Sequence, residues 1–265
     1  MTTAHRVAVL MYHRIGEARN AWEAKYCVSS QRFSAHMQSL ARAGRHAVSL
    51  TDFFAWLDGK CALPEGAFLL TFDDGFLGLH EHALPILSTL GFPATVFLVS
   101  ALTGRHDEWC RASNPSGATY PLLDRQHILE MAKHGFAFQS HTRHHADLPT
   151  LNDGSLADEL AGSKAELEDL LSASVDYLAY PFGRYDERVL VATRAAGYRA
   201  AFSVQPGFNR PDIDRFRIRR LDVFGTDTPA MLTRKLHFGS NDGSLRQTMR
   251  YYGARLASRL RASHG

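Results

Sequence analysis

Asp73 and Asp74 stand side by side in Thr71-Phe72-Asp73-Asp74-Gly75, directly after the apolar run Ala67-Phe68-Leu69-Leu70. Adjacent carboxylates at the end of a buried strand repel each other and resist desolvation, so folding alone gives no reason to put them there. A cation held by one of them removes the penalty and leaves the other free to move protons. About seventy residues downstream lies the complement, His141-Thr142-Arg143-His144-His145. Two imidazoles and one carboxylate, with positions left open for water and substrate, form a common hydrolytic metal arrangement. His141 and His145 are four apart, so one helical turn or a tight loop aims both rings at one ion. In a chain with 14 histidines this spacing alone fits a solvated loop pair equally well; the aspartate pair tips the reading towards a metal. Thr142 stands where a zincin helix needs Glu, which argues against that class. The unliganded aspartate would accept a proton from a water acidified by the ion, and an imidazolium would donate one to the leaving group. His13, just after the first apolar run, is the best-placed donor. It fits equally a histidine that ends a strand and has no chemical task.

The elements that must position these groups are legible as an alternation. Short apolar runs at Val7–Tyr12, Ala67–Phe72, Ala94–Val99, Phe136–Gln139, Tyr177–Tyr180, Ala200–Val204 and Arg217–Val223 read as strands. Between them Phe33, Met37, Leu40 and Ala41, and then Leu84, Leu87 and Leu90, recur at helical spacing. Ser155–Leu171 and Val189–Ala196 read as further helices, the second stopped by Gly197. This is α/β architecture, and the chemistry-bearing residues follow strand ends, where parallel α/β barrels build their sites. The segment Thr103–Pro121 is long, polar and rich in Gly, Pro, Ser and Asn, the signature of a functional or mobile loop.

At 265 residues and 45% hydrophobic content the chain fits one large domain with a sizeable core. A net charge of +3 is too small to argue for nucleic acid, and three scattered cysteines suggest neither a disulfide framework nor a thiolate metal site. The first apolar run is too short for an export signal or a membrane span, so the expectation is a cytoplasmic protein. Leu245–Arg261 reads as a basic amphipathic helix, with Leu245, Met249, Tyr252, Leu256 and Leu260 on one stripe. Packing on the barrel or on a second subunit is favoured for it over peripheral contact with an anionic inner-membrane surface. The expected organisation is a barrel over 1–240 and this tail over 241–265; oligomeric state is left open.

Thr71-Phe72-Asp73-Asp74-Gly75, His141-Thr142-x-x-His145 and Tyr180-Pro181-Phe182-Gly183, in that order, resemble the polysaccharide deacetylases of carbohydrate esterase family 4, the NodB-homology domain. The resemblance covers about Ala67 to Val223. It implies a single-domain distorted (β/α) barrel, a divalent metal, usually zinc, and removal of acetyl groups from sugars. Residue by residue it assigns Asp73 as general base and Asp74, His141 and His145 as metal ligands. Phe182 takes the place of an aromatic residue whose backbone N–H helps hold the oxyanion, with Tyr180 and Pro181 beside it and Thr142 steadying the metal loop.

Two departures stand out. Ala179 occupies the position of an arginine that contacts the base in the usual third motif, and a C-terminal Leu-x-His carrying the acid is not evident. Tyr12-His13 is similar to the permuted branch of poly-N-acetylglucosamine deacetylases, whose acid histidine lies near the N-terminus, and this favours His13 as the acid. Arg217, Arg219 or Arg220 could replace the missing arginine, and Arg219 is taken as the candidate. Asp222 could orient an imidazole or an arginine, with a strand-end surface residue the favoured reading. Trp109 fits either a sugar-stacking ring or a loop tryptophan folded onto the barrel. The expected activity is hydrolysis of N-acetyl groups on an N-acetylglucosamine-type polymer or its lipid-linked intermediate, with release of acetate. The competing readings are an amidase or deformylase of the same fold acting on a non-polymeric amide, and an inactive glycan-binding module.

Overall fold

The computed structural model describes residues 3–246. In chain order the strands are β1 (Ala8–Tyr12), β2 (Arg14–Ile15), β3 (Cys27–Val28), β4 (His46–Val48), β5 (Ala67–Phe72), β6 (Ala94–Leu98), β7 (Phe136–Ser140), β8 (Tyr177–Ala179), β9 (Ala200–Phe202) and β10 (Leu221–Asp222). The helices are α1 (Ser30–Arg42), α2 (Leu50–Leu57), α3 (Leu84–Leu90), α4 (Arg125–Ala132), α5 (Asp153–Ala157), α6 (Ser163–Leu171), α7 (Glu187–Ala195) and α8 (Pro229–Phe238). The main sheet runs β10-β1-β5-β6-β7-β8-β9 with every pairing parallel. It curls into a distorted half-barrel, the α/β architecture expected from the alternation. A parallel bridge between Phe202 and Ile218 ties β9 to the segment leading into β10. β5 pairs with β1 along one edge, while β4 takes the first half of the other edge (His46 to Ala67, Val48 to Leu69) and β6 the last (Thr71 to Thr95, Phe72 to Val96).

Because strand side chains alternate between faces, the sheet carries two cores. Leu10, Phe68, Leu70, Phe72, Val96, Phe138 and Leu178 face outward and meet the apolar stripes of α1, α3, α4, α6, α7 and α8. Val9, Leu69, Phe97, Ala179, Phe202 and Ile218 face inward, where Phe53, Phe54 and Trp56 of α2 pack on them. The same parity aims the chemistry. Asp73 continues the inward set Leu69 and Thr71, His13 continues Val9 and Met11, and His141 continues Ala137 and Gln139. A one-residue slip in any of these strands would turn the functional side chain into the helix layer.

Two expectations need correction, and three short strands went unpredicted. The helix over 155–171 begins at Asp153, N-capped by Asn152, and widens over Asp158–Gly162 between α5 and α6. The strand over 217–223 shrinks to Leu221–Asp222, because the Asp214 side chain caps a tight turn at Arg215–Arg217. The short strands β2, β3 and β4 carry too few residues to show a period. Of the amphipathic helix expected over 245–261, positions 247–261 lie outside the described residues. No helix among the described residues is long and apolar enough to cross a membrane.

Candidate metal centre and active site

Asp74, His141 and His145 converge. Each is buried, and one ligand atom from each lies within 4.8 Å of the other two. Asp74 Oδ1 is 3.5 Å from His141 Nε2 and 3.4 Å from His145 Nε2, yet has no hydrogen-bond partner. His141 Nδ1 lies 2.8 Å from the Ala179 carbonyl; a carbonyl only accepts, so Nδ1 carries the proton and the Nε2 lone pair faces Asp74. The Thr142 hydroxyl accepts the His145 backbone N–H at 3.2 Å, which ties the two ends of this loop together. The loop is also anchored outward, with the Arg143 and His144 amides both donating to Glu159.

The protonation pattern fits a cation. Burial, then the Asp73 and Asp107 charges, push the Asp74 carboxyl well above the usual carboxylate range. Burial takes His141 down to about 4 against the pull of Asp73, and burial with the neighbouring His141 holds His145 well below an ordinary imidazole. A positive ion between the three reverses the preference of the carboxyl and uses the lone pairs of neutral rings. An orphaned buried carboxylate oxygen facing two imidazole nitrogens is the donor set of a divalent site.

Asp73 is handled differently. Arg220, with no exposed surface, clamps it with two bonds, Nη1 to Oδ1 at 2.6 Å and Nη2 to Oδ2 at 2.8 Å. Burial raises the Asp73 pKa, but Arg220 and His141 outweigh it and hold it at about 2. The arginine is itself fixed, donating from Nε to the Ser203 carbonyl at 2.9 Å. This corrects the choice of Arg219, which is exposed and reaches the Pro206 carbonyl at 3.3 Å. Parity explains the difference: Ile218 belongs to the inward core, so Arg220 points inward and Arg219 out. The arginine absent at Ala179 is thus supplied from the segment preceding β10.

The site backbone is strained. Among the described residues, five non-glycine residues have positive φ, and four are Asp74 (73°), Thr142 (66°), His145 (60°) and Phe182 (56°). Such conformations cost on the order of 1 kcal/mol or more each and persist where surroundings over-determine them. For Asp74 the turn brings a side chain that parity would send outward back towards His141 and His145.

Asp73, Asp74, His141 and His145 line a cavity of about 350 Å³. His13 borders it; burial lowers its pKa while Asp73 raises it. Phe182 borders it too, its ring set edge-on to His145 at 4.5 Å. Trp109 lies flat on His145 at 4.7 Å and 15°, so the long loop folds over the candidate metal ligands. Pro181 is buried away from the cavity and starts the turn that presents Phe182. Tyr180 borders the cavity, but its phenol donates to the Phe216 carbonyl at 3.2 Å and its ring packs in the outer core against Tyr185. It supports the wall rather than offering a hydroxyl. Asp222, expected at the surface, is on the cavity wall, tied by Asn241. Sequence reading also passed over Asp107, a buried carboxylate of the long loop that accepts the Tyr120 amide. Only its place in that loop hinted at it.

The profile of the polysaccharide deacetylase family matches residues 60–201, more than half of the chain. The chain belongs to the polysaccharide deacetylase family. It is 26% identical over 210 residues to the poly-beta-1,6-N-acetyl-D-glucosamine N-deacetylase of Staphylococcus epidermidis, spanning 75% of this chain and 68% of that protein. Its fold is similar to that of the Streptococcus pyogenes deacetylase PplD, solved in complex with acetate (TM-score 0.75, 22% identity, 89% of this chain and 99% of that one). IcaB from Ammonifex degensii is similar in fold as well (TM-score 0.71, 24% identity, 89% and 98%). As a polysaccharide deacetylase the protein is a carbon–nitrogen hydrolase.

Proposed function

We propose that the protein removes acetyl groups from the amino sugars of an N-acetylglucosamine-type glycan, using a divalent cation bound by Asp74, His141 and His145. The observation that carries this reading is the division of labour between neighbouring carboxylates: Asp74 is bare towards two imidazoles, whereas Arg220 satisfies Asp73. Likeness to N-deacetylases of poly-beta-1,6-N-acetyl-D-glucosamine supports the choice of substrate. Two imidazoles and a carboxylate suit zinc.

The bound cation supplies Lewis-acid polarisation of the acetamide carbonyl and a lowered pKa for water. Asp73, kept ionised and oriented by Arg220, is always in the form that accepts the proton of the attacking water. The backbone N–H of Phe182 donates to the oxygen that becomes negative. His13 gives a proton to the departing nitrogen. Asp73 opposes the burial that lowers its pKa, and negative charge developing in the cavity works in the same direction. Acetate and a free sugar amine leave. Acetate release from N-acetylglucosamine oligomers, measured with chelator and then with metal restored, tests the reading. Turnover that survives full chelation, or undiminished turnover in both Asp73→Asn and His145→Ala, would sink it.

A further inference from the structure

Among the described residues, the exposed large apolar side chains are Trp22 (42%), Tyr26 (39%), Phe182 (55%), Val191 and Leu245. The three aromatic ones all line the catalytic cavity. Phe182 belongs to the third motif, but Trp22 and Tyr26 come from the segment after His13, to which the function assigned nothing. They flank Glu23, which is only 4% exposed. Its carboxylate accepts from Arg14 Nη2 at 2.9 Å, the Arg19 amide at 2.8 Å and Asn114 Nδ2 at 2.9 Å. The Arg14 guanidinium in turn lies 3.6 Å over the Tyr120 ring, so this buried hub locks the segment to the long loop. The two rings are therefore presented by a fixed backbone. Their exposure is built in.

We infer that Trp22 and Tyr26 form a stacking subsite for a sugar next to the one being deacetylated, so that the enzyme selects oligomers over the monosaccharide. The inference rests on the proposed glycan substrate and adds where a second sugar binds. Pyranose rings present apolar C–H faces, and aromatic faces beside polar cavities are their natural partners. The position follows from contact: the Tyr26 ring is 4.9 Å from His13, the donor to the departing nitrogen, and Phe224 supports it from 6.0 Å. A sugar stacked there continues from the amine side of the reacting residue. Trp109 and Phe182 flank His145 instead, so the aromatic surface reaches both the acid and the metal ligands.

The test compares kcat/KM for N-acetylglucosamine and its pentamer in wild type, Trp22→Ala, Trp22→Phe and Tyr26→Ala, all metal-loaded. Wild type should prefer the pentamer. Trp22→Ala and Tyr26→Ala should each raise the pentamer KM about tenfold and draw the pentamer-to-monosaccharide ratio down accordingly, with Trp22→Phe recovering part of it. An unchanged ratio in both alanine variants overturns the subsite while leaving the deacetylase reading intact. In chelated wild type, titration with the pentamer should quench indole emission, and Trp22→Phe should reduce that quench, leaving only the share from Trp109, which also lines the cavity. Binding without any Trp22-dependent quench overturns the subsite independently of turnover. No acetate from any glycan in metal-loaded wild type would instead overturn the functional reading, and the subsite with it.

Discussion

Replacing Arg220 with Met tests the logic of the site directly. The side chains are similar in length, so the barrel interior stays filled while the clamp on Asp73 disappears. Asp73 held at about 2 against 3.8 for a free carboxylate corresponds to about 2.4 kcal/mol at 1.36 kcal/mol per pH unit. Removing one partner of a buried pair costs about 3–5 kcal/mol, because the remaining charge is left without compensation. Arg220→Met should therefore destabilise the chelated protein by about 3 kcal/mol in urea unfolding at pH 7. Asp73→Asn should cost a similar amount, by leaving a buried guanidinium half-paired. The double variant should lose clearly less than the sum, with a coupling of at least about 2 kcal/mol. The pH dependence has a definite sign. A depressed carboxylate pKa contributes fully above the unfolded value and is lost as pH falls through the folded one. The contribution of ionised Asp73 to wild-type stability should therefore be lost between pH 3.8 and about 2, and the gap to Arg220→Met should have closed once pH has fallen through about 2. A gap under about 1 kcal/mol at pH 7, or a coupling near zero, would refute the idea that the buried ion pair holds Asp73 in its working state.

Three further outcomes follow from the same geometry. Burial and the Asp73 and Asp107 charges push the Asp74 carboxyl well above the usual carboxylate range, so metal binding should release a proton, and apparent affinity should fall by up to about tenfold per unit as pH drops through that raised range, measurable by calorimetry in buffers of differing ionisation enthalpy; metal binding with no proton release at any pH would contradict this. Gly183 has φ +66° and a Cβ built on it would lie 2.2 Å from Val204 Cγ2, so Gly183→Ala should displace the Phe182 turn and cut kcat at least about tenfold, with Val204→Ala added in cis giving partial recovery. Trp109→Ala removes the plane packed on His145 and should weaken metal retention by about tenfold in chelator competition, whereas a change in KM alone would show that the ring serves the sugar and not the ligand.

The inner and outer faces of the sheet were legible because alternation in β1, β5 and β7 survives to the residue just past each strand. That parity carries His13, Asp73 and His141 to one rim. The helices could be read from the outer stripes they must cover, and the family from three short motifs. Sequence alone could not choose Arg220 over Arg219, since the choice depends on which residue of an irregular segment shares parity with Ile218, and one bridge to Phe202 fixes that. Nor could it bring in Trp22 and Tyr26, whose exposure is set by a carboxylate hub joining Glu23, Arg14 and Asn114 across some ninety residues of chain. Local order reports periodicity and turn chemistry, which each segment carries by itself. Which charge neutralises which, and which rings stay bare beside the cavity, depends on contacts between distant segments, and only the closed tertiary structure supplies those.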